Sequence, residues 1–302
     1  MLANFFGKSK PVNFILIMVL FLSYYVLDLF THKQIEFNVE FLFVMPLVLG
    51  MFFFFNFIIV KNKLTHDNLY AFFLFVVGIG FFPEIILDYK QIIYCVLLFL
   101  FFRRLYSLRT SNAIYAKIFD SGMWLGVLFL FTPNYIIYLV VLYFAILFFL
   151  KLTFRTLLIP LLGFVTPILL YFTYNFYNNN LLYTDDFFNF TFRFNSDFLN
   201  TYKMVLLVFG VFSIISILLK SKKVLSVSNH FKKSWVILLI HFFIATVLLF
   251  VNSKGSDLEL IAFIFPASIL VANWLQSIKK LLIINIILLL FLITSFAIHF
   301  IA

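Results

Sequence analysis

Long apolar runs separated by short charged breaks, repeated from one end of the chain to the other, constrain this sequence more than any other feature. Eleven such runs lie at about 12–30, 41–60, 69–83, 88–102, 121–132, 135–150, 156–177, 204–219, 234–252, 260–276 and 281–301. A chain crossing hydrocarbon must satisfy every backbone N–H and C=O internally, so runs of this kind read as membrane-spanning helices. Composition agrees: 65% of the residues are hydrophobic and 11% charged, against about 45–50% and about 25% in soluble domains. The expectation is an all-α, polytopic transmembrane bundle of about eleven spans, with residues 1–302 forming a single integral membrane domain. The 48 Phe residues need no separate explanation, since lipid accepts Phe, Leu and Ile almost interchangeably.

Charge supplies the orientation. The opening MLANFFGKSKPVNFILIMVLF has the basic flank and apolar core of a signal sequence, but the run continues to Phe30 without a small-residue cleavage site. It reads as a retained first helix. With the N-terminus inside, seventeen of the 22 Lys and Arg residues fall in inner connections, and only Lys33, Lys90, Arg193, Lys203 and Lys254 fall outside. This asymmetry is what the positive-inside rule demands, and it puts the C-terminus outside. The formal charge of +10 therefore belongs to one face, suited to anionic headgroups. Nucleic-acid binding would need a folded basic domain, and the inner segments RRLYSLRTSNAIYAKIFD and KSKKVLSVSNHFKKS are too short for one.

Ten of the twelve acids fall on or near the outer side, a skew that insertion does not require. Glu84 and Asp88 share one helix face if FFPEIILDYK is helical. Together with Asp185, Asp186 and Asp197 they would line an outer vestibule, Arg193 and Lys90 offering counter-charge. Such carboxylates suit a hard divalent cation, and equally a solvated rim. The outer connection 178–203 is the longest, and within it Phe188, Phe190, Phe192 and Phe194 alternate with Asn189, Thr191, Arg193 and Asn195. That alternation fits either a short extended piece or an interfacial segment pressing its rings toward headgroups, a surface for a partner or a lipid.

His241 stands inside VILLIHFFIATVLL, where a polar side chain must face protein or water. An interhelical hydrogen bond is its ordinary use, and a place in a pathway the sharper one. Asn56, Asn273 and Asn285 read as helix-to-helix hydrogen-bonding residues. Asp28 sits near the outer end of the first run, His299 near the C-terminus, and the lone Cys95 within an apolar segment as a small hydrophobe.

The stretches FFGKSKPVNF, RRLYSLRTSNAIYAKIFDSGMWLGVLFLF and FRTLLIPLLGFVTPILLYFTYNF resemble an uncharacterised family of polytopic inner-membrane proteins of flavobacteria and relatives. That resemblance implies a Gram-negative inner membrane and a periplasmic outer face. The TPN break followed by a long span and LLGFVTP is also similar to polyprenyl-phosphate-dependent membrane glycosyltransferases of the GT-C type. Those enzymes place a catalytic acid in a long first periplasmic loop, whereas here the loop is THKQIEFNVE, with Asp28, Glu36 and Glu40 as candidates.

Three expectations follow. The first is a non-enzymatic subunit or scaffold of an envelope assembly, offering 178–203 to a protein partner. The second is a GT-C-like transferase of a lipid-linked sugar, with Glu84, Asp88, Asp185 or Asp186 as base and Arg193 or a divalent metal neutralising the departing phosphate. The third is a transporter with His241 on its path.

Overall fold

The computed structural model describes residues 2–31, 39–82, 89–150, 152–178, 201–224, 229–251 and 257–301. The described residues are mostly helical, with no strand among them. In chain order the helices are α1 (Leu2–Phe6), α2 (Pro11–Thr31), α3 (Val39–Lys61), α4 (Tyr70–Gly80), α5 (Tyr89–Ser107) and α6 (Ile114–Phe131). A 3₁₀ turn, Pro133–Ile137, leads into α7 (Tyr138–Phe149). There follow α8 (Phe154–Tyr177), α9 (Lys203–Val224), α10 (Asn229–Val251), α11 (Asp257–Leu275) and α12 (Leu281–Ile301).

Each of the eleven apolar runs contains a helix, α2 to α12. Among the described residues, seven of them, α3, α6 and α8 to α12, are long and apolar enough to cross a membrane. This multi-pass, all-helical character is the coarse form of the expectation; among the described residues eleven crossings are not reached on length and composition alone. Helix α4 is one that falls short: its 11 residues are all buried, so protein rather than lipid surrounds it and spanning length is not needed. Helix α6 departs in the other direction. It begins at Ile114 rather than near 121, and so absorbs residues read as inner connection. Lys117 makes this workable by reaching back to the carbonyls of Ser107 (2.9 Å) and Thr110 (3.0 Å), while Ile118 turns into the core. Arg104 pairs with Asp120 at 2.8 Å across the same turn, a partly exposed pair of modest energy.

Contacts gather the chain into two compact units, each assembled from separate stretches. The first comprises Met1–Ile92, Asp197–Val227 and Leu260–Ala302. In it α12 lies against α1, α2, α4 and α9, and α4 also against α2 and α3. Polar side chains tie these helices where hydrocarbon would not tolerate loose donors. Asn273 donates to the carbonyls of Leu64 and Ile269, both at 2.9 Å. Asn285 accepts from the backbone of Ala3 at 2.7 Å, Tyr24 and Ser295 share a hydroxyl contact, and the His299 ring bonds the Gly80 carbonyl at 2.8 Å. The sequence reading assigned interhelical bonds to the asparagines but no task to His299. Helix α3 ends in a Schellman motif: Leu64 N–H bonds Ile59 O, Lys63 N–H bonds Val60 O, and Lys63 takes φ 48.

The second unit comprises Ile93–Ser196 and Ser228–Glu259. Its tightest join is between α6 and α8, which run parallel. A Cβ on Gly122 would lie 2.1 Å from the Pro160 carbonyl oxygen, and one on Gly163 2.3 Å from that of Phe119. Gly126 meets the backbone of Phe164 in the same way. Gly122 and Gly126 form a G-x-x-x-G stripe, a close-approach signal for membrane helices that was open to reading in the sequence and was not used. Thr153 and Thr156 cap α8 reciprocally.

Candidate functional site

The second unit buries a row of polar side chains, one from the middle of α10 and the others from the ends of neighbouring helices and the 3₁₀ turn. His241 falls near the centre of the apolar window Phe231–Phe250 of α10 and is fully enclosed by protein. Its Nδ1 lies 2.8 Å from the Tyr106 hydroxyl on the last turn of α5, a shared hydrogen bond whose donor depends on the imidazole tautomer. The ring packs against Phe102 at 4.3 Å between centroids and meets Tyr138 edge-on at 5.5 Å. The interhelical contact expected of a histidine in a span is thus present, and it joins α5 to α10.

Tyr138 extends the row to Tyr135, whose ring lies parallel to it at 5.7 Å and 12°. The local backbone explains the stacking. Pro133 begins a 3₁₀ turn, and such a turn eclipses side chains three residues apart, so Tyr135 and Tyr138 stand one above the other. Both hydroxyls are buried with no hydrogen-bond partner among the described residues. A buried hydroxyl in that state draws its partner from water or a ligand.

Glu259, on the first turn of α11, closes the row. It is 1% exposed and lies within electrostatic range of both Tyr135 and Tyr138. Cys95 is also buried. Tyr106, Tyr135, Tyr138, His241 and Glu259 are each 1% exposed or less. Chemically the row holds one carboxylate, one imidazole and three hydroxyls, each able to accept a proton at one atom or lone pair and release one at another.

Of the residues singled out from sequence, His241 is brought into this cluster. Glu84, Asp88, Asp185, Asp186, Asp197, Arg193, Phe188, Phe190, Phe192 and Phe194 lie outside the described residues, as do the side chains of Asp28, Glu36 and Glu40. Among the described residues no three His, Cys, Asp or Glu side chains converge as metal ligands. Sequence reasoning missed Tyr106, Tyr135 and Tyr138, which the many tyrosines of the chain conceal, and it counted Glu259 only as one of the ten acids on or near the outer side. The usable signal was the three-residue spacing of Tyr135 and Tyr138 directly after a proline.

The whole chain, residues 1–302, matches the DUF6427 model, described as a family of unknown function. The protein belongs to the DUF6427 family. No curated protein and no solved structure matches it, so the site of this DUF6427 protein is read from its own geometry.

Proposed function

We propose that this DUF6427 protein is a non-enzymatic subunit of an envelope assembly in a Gram-negative inner membrane, and that its second unit provides an internal path for protons. The observation that supports this is the row Glu259, Tyr135, Tyr138, His241, Tyr106, buried within a unit whose core is mainly apolar. Burying one carboxylate and one imidazole in such a unit is costly, and chains of Asp, Glu and His inside membrane helices are the means by which pumps and transporters pass protons. With the N-terminus inside, Glu259 and Tyr135 stand toward the periplasm and Tyr106 toward the cytoplasmic turn carrying Arg103 and Arg104. A proton taken up by the Glu259 carboxylate would pass through water held by the Tyr135 and Tyr138 hydroxyls to one nitrogen of His241. The other nitrogen would release a proton toward Tyr106, and tautomer exchange would reset the ring. No net chemistry is done on a substrate.

The transferase reading rests on Glu84, Asp88, Asp185, Asp186 and Arg193, and so on sequence alone. Two measurements test the proposal. Protein reconstituted in liposomes holding a pH-sensitive dye should discharge an imposed gradient faster than protein-free vesicles. Purification in mild detergent should bring down a stoichiometric partner; polyprenyl phosphate in the extract instead would favour the transferase.

A further inference from the structure

Away from the polar row, the first unit carries a pocket of about 550 Å³ lined by Asn4, Phe5, Lys8, Lys10 and Asn13, where α1 turns into α2. We propose that this pocket holds the headgroup of an anionic phospholipid. The turn is built rather than loose. Asn13, 2% exposed, donates its side-chain amide to the carbonyls of Phe5 and Lys8, and Lys10 N–H bonds Lys8 O at 3.1 Å. Those bonds fix the backbone from which both lysines project, and both are exposed. Neither lysine is ion-paired among the described residues, so their charge is open to a ligand.

On α2, the helix that leaves the pocket, an apolar strip would select a lipid over a free anion. Val12, Ile15, Leu16, Val19 and Leu22 are all exposed on α2, at the spacing that places them on one side of a helix. From Val12 to Leu22 the rise is about 15 Å at about 1.5 Å per residue, half of a hydrocarbon core of about 30 Å. An acyl chain whose phosphate sits between Lys8 and Lys10 would therefore run along this strip to the bilayer midplane. The ligand class is a phospholipid with a net negative headgroup, such as phosphatidylglycerol, since a zwitterionic headgroup would bring its own cation to the lysines.

The test is retention of phosphatidylglycerol against phosphatidylcholine by full-length protein in mixed nanodiscs, read by native mass spectrometry. Wild type should favour phosphatidylglycerol, the K8Q/K10Q variant should lose roughly 30-fold of that preference, as two interfacial lysines warrant, and K8R/K10R should keep it. Equal retention of the two lipids by wild type would overturn the proposal, and so would a preference untouched in K8Q/K10Q. Inorganic phosphate binding the detergent-solubilised protein as tightly as the lipid would also overturn it, because the apolar strip would then contribute nothing.

Discussion

The Tyr106 hydroxyl and His241 Nδ1, 2.8 Å apart, join the last turn of α5 to the centre of α10. Because both residues are buried, this bond is made where water does not compete for either group. Removing it should weaken the second unit by the amount typical of interhelical bonds in membranes. A double-mutant cycle of Tyr106→Phe and His241→Leu, followed by thermal unfolding in detergent, should give a coupling energy of about 0.6–1.7 kcal/mol. Strict additivity would mean that the pair contributes nothing as a pair.

The α6–α8 crossing makes a sharper prediction. Gly122→Val places a side chain against the Pro160 backbone, and backbone cannot give way as a flexible side chain would. The expected loss is at least about 2 kcal/mol. Gly210, inside α9, has nothing within 4 Å of its Cβ position. Gly210→Ala should therefore be neutral or stabilising by up to about 1 kcal/mol. The two variants, compared by melting temperature, separate close packing from helix propensity.

Lys63 occupies the left-handed C′ position of the Schellman motif at the end of α3. Glycine adopts that conformation without the Cβ penalty, so Lys63→Gly should stabilise the first unit by about 0.5–1 kcal/mol. A lowered melting temperature would show that contacts of the lysine side chain outweigh its backbone cost.

Much of the fold was legible because membrane helices announce themselves as apolar runs: α2 to α12 each sit on one. What the runs conceal is length and company. Helix α4 is short because it is buried on every side. Helix α6 starts early because Lys117 finds carbonyls near the preceding turn, a three-dimensional fact with no sequence signature. The division into two units depends on which helices meet, and all of them are similarly greasy. In the site, His241 was legible as a polar exception in an apolar run. Tyr106, Tyr135 and Tyr138 were not, because tyrosine is ordinary at a membrane boundary and becomes notable only once three hydroxyls are seen gathered inside.

Orientation rests on the distribution of Lys and Arg. Reporter fusions after Lys63 and Lys223 should report the cytoplasm, and a fusion after Ala302 the periplasm. A periplasmic signal at either lysine would reverse the direction assigned to the polar row.

The most direct test of the proton path is the rate at which reconstituted protein discharges a pH gradient, with valinomycin and potassium present so that charge does not limit the flow. Wild type should exceed protein-free vesicles. His241→Leu and Glu259→Gln should each slow the flux by at least about tenfold, as loss of a proton-transferring group does, while Lys63→Gly, prepared identically, should match wild type. Flux from wild type no faster than the lipid leak, or undiminished in folded His241→Leu protein, would contradict the account and leave the buried row as a set of helix-to-helix ties.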